Sequence, residues 1–187
     1  MPNVKVHINS VFDSATYIFE GTVVDPGDSQ SFEGIMVRHI LLSHCHFDHI
    51  YGLNALVESS PFAKVYTNSY GAEMLINAKL NLSKYHETPY VFKYPENIEL
   101  VADGSNIDLG DGMIAKVYET PGHNPSCLTY VVDDALFTGD AYIPGFKTVT
   151  NLPHGNKVDA QKSIELIQRL AQHRTIYPGH SLPHNKG

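Results

Sequence analysis

Ile35-Met36-Val37-Arg38-His39-Ile40-Leu41-Leu42-Ser43-His44-Cys45-His46-Phe47-Asp48-His49 is the stretch that decides how this chain is read. Ile35–Leu42 is apolar except at Arg38 and His39, the pattern of a buried strand. It empties into a segment in which His44, His46, Asp48 and His49 can all bind a metal. In a loop leaving a strand, His44 and His46 stand two residues apart and can point the same way. Asp48 and His49 follow as the chain turns into an apolar helical pattern at Ile50–Val57, and can face a second point nearby. Neutral imidazoles with a carboxylate suit a borderline divalent ion such as Zn²⁺.

The same arrangement, a strand followed by glycine and a donor, recurs three times further on. His123 ends Thr120-Pro121-Gly122-His123 after a strand pattern at Met113–Tyr118. Asp140 ends Phe137-Thr138-Gly139-Asp140 after Ala135–Thr138, and His180 ends Tyr177-Pro178-Gly179-His180 after Thr175–Tyr177. Strand ends gathered on one edge of a sandwich would bring all seven side chains together.

Around these segments the chain reads as short strands at Val4–Ile8, Thr16–Phe19, Thr22–Val24, Ala63–Tyr66, Ile98–Val101, Ile107–Leu109 and Leu128–Val132. Helical patterns lie at Tyr70–Leu80 and at Ala160, Ile164, Ile167 and Ala171. Asp111-Gly112 and Asp133-Asp134 mark hairpin turns, and residues 81–97 and 141–157 read as loops. This is a layered α+β (α/β) chain, expected to form a single domain over residues 1–187. The strand order does not follow from the pattern.

Composition narrows the function. A chain of 187 residues buries roughly 70% of its unfolded surface and needs no staples. Its formal net charge of −7 argues against a phosphate-backbone binder, so no nucleic-acid partner is expected. Two cysteines, Cys45 and Cys127, are too few for a disulfide scaffold. No stretch approaches ~20 apolar residues and Met-Pro-Asn-Val-Lys opens no apolar run, so a cytoplasmic protein without membrane contact is expected. Of the 11 histidines, His7, His39, His86, His173 and His184 sit in no motif and read as surface or satisfied residues.

In this order, His44-x-His46-x-Asp48-His49, Gly122-His123, Gly139-Asp140 and Pro178-Gly179-His180 resemble the metallo-β-lactamase superfamily. The Val24-Asp25-Pro26-Gly27 turn resembles the family's early strand-to-turn motif, as do Asp103-Gly104 and Ile107-Asp108-Leu109-Gly110. The resemblance spans about residues 15–182 and implies an αββα sandwich with metals at one edge. It is strongest to the glyoxalase II branch. That branch implies two divalent ions, Zn first and Fe or Mn as alternatives: one held by His44, His46 and His123, the other by Asp48, His49 and His180, with Asp140 bridging. The β-lactamases often place a cysteine among these ligands, which this chain does not. Two departures stand out. Residues 26–43 leave little room for the family's first helix, and the helical domain that glyoxalase II enzymes carry beyond the last histidine has no counterpart before Gly187.

The resemblance implies a hydrolase in which a hydroxide shared by two ions attacks a small thioester, ester or lactone. Asp48, Asp140 and Tyr142 are the candidate catalytic residues: Asp140 as bridge, Asp48 orienting the nucleophile, Tyr142 donating to a leaving group or oxyanion. Asp25 is a turn residue that can support the ligand loop. Tyr142, Ile143, Pro144, Phe146, Lys147, His154 and the aromatics of 81–97 are candidate pocket walls, and Lys147 and Lys157 candidate anchors for an anionic tail. Rival readings are a one-iron oxygenase of the persulfide dioxygenase type, phosphodiester chemistry as in the tRNase Z branch, and a non-catalytic metal-binding module.

Overall fold

The computed structural model describes residues 2–181. His184 therefore lies outside the described residues.

Two sheets carry the chain. The first holds β1 (Lys5–Ile8), β2 (Ala15–Phe19), β3 (Thr22–Val24), β4 (His39–Leu41), β5 (Lys64–Thr67) and β6 (Ile98–Leu100), neighbours in that order. The β1–β2 and β2–β3 pairs are antiparallel, and β3, β4, β5 and β6 run parallel. The second sheet runs in the order β11 (Thr175–Pro178), β10 (Ala135–Gly139), β9 (Leu128–Val132), β8 (Met113–Glu119), β7 (Asn106–Gly110). It is antiparallel except between β10 and β11.

Strand alternation sorts the apolar side chains into three layers. Tyr17, Phe19, Val24 and Leu41 of the first sheet meet Val117, Leu128, Tyr130 and Phe137 of the second. The intervening residues Ile18, Val23, Ile40 and Val65 turn outward and pack beneath α1 (Leu53–Ser59) and α2 (Ser69–Leu75), through Leu53, Leu56, Met74 and Leu75. On the far side Leu136 points out to Ile167 of α3 (Lys157–Leu170). Helices, sheet, sheet and helix follow one another, which is the αββα sandwich.

Several element limits differ from the sequence pattern. The strand expected over Ile35–Leu42 is only His39–Leu41, because Val37 gives its backbone N–H to the Ser60 hydroxyl and Met36 faces solvent. The helix expected over Tyr70–Leu80 stops at Leu75, and Asn77 then turns its side-chain oxygen to the backbone N–H groups of Lys79 and Leu80. That local bond competes with helix continuation. The expected shortening between Asp25 and His44 is borne out: a single 3-10 turn, Ser29–Phe32, is the helical structure there.

Strand direction positions the site. The C-terminal ends of β4, β8, β10 and β11 leave on one edge, where cross-sheet hydrogen bonds draw the two sheets together. Leu128 N–H donates to the Ser43 carbonyl at 2.7 Å, and Ala15 N–H to that of Gly179 at 2.8 Å. The Tyr17 and Tyr130 hydroxyls donate to the Pro178 and Leu42 carbonyls at 2.6 and 2.9 Å.

Candidate metal centre

All seven donors expected from the sequence meet at this edge. His44, His46 and His123 offer ring nitrogens within 4.8 Å of one another, and so do the donor atoms of Asp48, His49 and His180. His46 Nδ1 and His123 Nε2 are 3.0 Å apart, and His49 Nε2 and His180 Nε2 are 3.4 Å apart. Asp140 faces both groups: its Oδ2 is 3.5 Å from His123 Nε2 and 3.3 Å from His180 Nε2, and its Oδ1 is 3.6 Å from His49 Nε2. A tetrahedral ion with bonds of about 2.0–2.1 Å sets its donors about 3.3 Å apart, so these spacings fit divalent metal ligation.

Each ring is aimed by a partner on its other nitrogen. His123 Nδ1 and His180 Nδ1 sit 2.8 Å from the Val149 and Phe12 carbonyls, which can only accept, so both rings turn Nε2 to the site. His46 Nε2 lies 3.2 Å from Asn124 Nδ2, and buried Asp25 is the hub for His44 and His49. Its carboxylate accepts from the Ser43 N–H at 2.7 Å and the Ser43 hydroxyl at 2.5 Å, and lies 3.2 Å from His49 Nδ1. The Ser43 hydroxyl in turn lies 3.2 Å from His44 Nδ1. His44 Nε2 and Asp140 Oδ1 are buried with no hydrogen-bond partner. In a protein interior such atoms are costly unless something binds them, and both point where an ion would sit.

The electrostatics agree. Burial and the neighbouring His49 hold His44 well below the ordinary imidazole range. Burial and His123 bring His46 down to about 3, so both rings present lone pairs at neutral pH. Burial alone would raise the Asp48 and Asp140 carboxyls, but the surrounding histidines together, His49 and His180 for both and His44 for Asp140, hold both low. Burial alone would lower His49 and His180, but the Asp48 and Asp140 carboxylates hold both rings above their ordinary value. The carboxylates thus favour positive charge here, and a divalent ion meets that demand while displacing the protons.

The side chains of Asp140, Asp48 and His180 are 13%, 15% and 23% exposed, so the centre opens on their side. Two cavities meet there and share His123, Asp140, Val149 and His180. One, about 230 Å³, adds Ile143, Phe146, Lys147 and Thr148. The other, about 290 Å³, adds Phe12, Phe47, Leu82 and His86. Ile143, Phe146 and Lys147 stand where expected, whereas Pro144 and Lys157 line neither cavity, and His154 instead packs its ring against Tyr70. Of the loop 81–97, expected as a candidate wall, His86 edges the second cavity with its ring 4.3 Å from that of Phe47, whereas Tyr85, Tyr90, Phe92 and Tyr94 line neither.

Tyr142, expected as a hydrogen-bond donor at the site, stands apart from both cavities. It packs against Cys127, Leu136, Ala141 and Ile167 on the α3 side. The turn after Asp140 is closed by the Ala141 N–H to Thr138 carbonyl bond, and the Tyr142 carbonyl accepts from the Thr138 hydroxyl at 2.7 Å. Cys45 points away as expected: it is buried with Sγ 3.5 Å from Thr67 Oγ1, and burial pushes its thiol up to about 12. Phe12 is the contributor the sequence pattern misses. Its carbonyl, not its side chain, orients His180, and an apolar loop residue carries no signal of that.

The metallo-beta-lactamase superfamily profile matches residues 13–180, and the chain belongs to this superfamily. "Probable metallo-hydrolase YqgX" of Bacillus subtilis (strain 168) is 31% identical over 151 residues, spanning 79% of this chain and 70% of that protein. A hydroxyacylglutathione hydrolase of Xylella fastidiosa (strain M23) is 31% identical over 123 residues, 63% of this chain but 39% of that protein. Among solved structures, the BLEG-1 B3 metallo-beta-lactamase shares the fold at a TM-score of 0.86 and 24% identity, covering 96% of this chain and 92% of its own. No helix of the described residues is long and apolar enough to cross a membrane.

Proposed function

We propose that this protein is a dinuclear metallohydrolase that cleaves a small thioester, ester or lactone. His44, His46 and His123 would hold one ion, Asp48, His49 and His180 the other, and Asp140 would reach both. The observation that carries this reading is the convergence of seven donors on one open edge, with His44 Nε2 and Asp140 Oδ1 buried and without a hydrogen-bond partner. Zinc is the metal that the imidazole-rich donor set favours. When bound, such ions supply Lewis acidity at the attacked oxygen and a nucleophile at neutral pH.

The chain's own groups do the rest. Asp25 and Ser43 fix the rings of His49 and His44, so the site is organised before substrate arrives. Asp48, on the open side, would offer its Oδ2, 3.4 Å from His180 Nε2, to the ion, leaving its other oxygen to orient the attacking water. Ile143, Phe146 and Val149 offer an apolar wall to an acyl group, with Lys147 beside them for an anionic tail. The hydroxyacylglutathione hydrolase relative supports an acyl substrate over a phosphodiester, and the net charge of −7 supports a small molecule over a nucleic acid.

The test is a panel of thioesters, lactones, aryl esters and phosphodiesters, assayed before chelation, after it, and after zinc is returned. Turnover of an acyl substrate should vanish on chelation and return with zinc. Turnover of phosphodiesters alone, or turnover that survives chelation, contradicts the proposal.

A further inference from the structure

The loop between β1 and β2, residues 9–14, supplies no metal-binding side chain, yet it reaches both halves of one ligand set. Phe12 and Asp13 take φ values of 55° and 54°. A bulky residue in that region is strained and persists only where surrounding contacts impose it. Those contacts run to the His180 segment. The Phe12 carbonyl accepts from His180 Nδ1 at 2.8 Å, and the Asp13 carbonyl from Ser181 N–H at 3.2 Å. Ser14 pairs with His180 in an isolated antiparallel bridge.

From the same residue a second link runs to the other ligand segment. The Ser14 hydroxyl, fully buried, donates to the Asp48 carbonyl at 2.7 Å and accepts from Asn9 Nδ2 at 3.1 Å. Ser14 thus ties the backbone carrying Asp48 and His49 to the strand end carrying His180. His44, His46 and His123 lean elsewhere, on Ser43, Asn124 and the Val149 carbonyl.

We propose that Ser14, with the Phe12 carbonyl, is a positioning clamp for the set Asp48, His49 and His180, and leaves the set His44, His46 and His123 untouched. This rests on the two-ion reading above. The two metal positions are then separable by one hydroxyl that touches neither ion.

The test is a zinc titration of metal-free Ser14→Ala against a chromophoric chelator, beside the wild type and His180→Ala. In Ser14→Ala one equivalent should weaken by about 10–100-fold, the usual cost of losing an outer-shell partner, while the other keeps its affinity. The weakened equivalent should be the one that His180→Ala loses. Equal weakening of both equivalents, or of neither, overturns the clamp. A wild type that takes only one equivalent overturns the two-ion reading itself, and the clamp with it. Should Ser14→Ala fail to fold, hydrogen exchange on the wild type decides. The amides of Asn9 and Ala15, bonded to the Ser14 and Gly179 carbonyls, should gain protection with one equivalent and not with the other. Protection gained equally with both, or with neither, overturns the proposal.

Discussion

Asp140→Ala is expected to lower turnover by about a thousandfold or more while leaving far-UV circular dichroism unchanged. The carboxylate lies within 3.6 Å of ring nitrogens from three different strand-end segments, His49, His123 and His180, so in the proposed two-ion centre its loss would strip a donor from both positions at once. Charge stabilisation by a bound metal is worth several kcal/mol, and each 1.36 kcal/mol is about tenfold in rate. The fold should survive because Asp140 contributes to the open edge and to none of the three apolar layers. Asp140→Asn separates charge from shape: it keeps the volume but loses the negative charge that both positions share, and should fall nearly as far. Measured turnover within tenfold of wild type in Asp140→Ala would mean that the carboxylate does not serve both ions.

Gly122→Ala should have the largest effect on stability. Gly122 takes φ 134°, a conformation that L side chains rarely adopt. An added Cβ would lie 2.2 Å from the backbone nitrogen of Ala160, at the start of α3, and 2.3 Å from its Cα. The contact is fixed from both sides: Asn156 N–H donates to the Gly122 carbonyl at 2.8 Å, and the Ser163 hydroxyl to that of Pro121 at 2.6 Å. Overpacking costs about 1–3 kcal/mol and backbone strain a further 1–3 kcal/mol. A loss of about 4 kcal/mol corresponds to a fall of about 8–16 °C in Tm for a chain of this size. His123 follows directly, so the surviving folded protein should also bind zinc more weakly. A Tm within 2–3 °C of wild type would show that α3 does not pin this turn.

Much of the site is legible in the sequence because the ligands announce themselves locally. His123, Asp140 and His180 each follow an apolar run and a glycine. Gly179 shows why the glycine is there: a Cβ on it would lie 2.1 Å from Asp140 Oδ1, so only a bare backbone lets two ligand segments meet. The strand order, which follows the chain within each sheet, is not legible, because parallel pairs such as β3 with β4 and β10 with β11 are joined by crossovers that carry no hairpin-turn signal. Nor is the packing of Tyr142, which joins the apolar cluster on the α3 side although it stands only two residues after a ligand. The apolar run at Ile35–Leu42 misleads for a related reason. Met36 is 84% exposed, and hydrophobicity alone does not separate a buried strand from a surface loop. The part played by the β1–β2 loop is hidden from any reading of side-chain types, because it acts on His180 through a main-chain carbonyl.

The most direct test of the two-ion centre is elemental analysis of the protein, counted as metal per chain. About two equivalents, of zinc or of a zinc, iron and manganese mixture, is the expected result, falling below one in Asp140→Ala. A single equivalent of iron per chain, unchanged by added zinc, would contradict it.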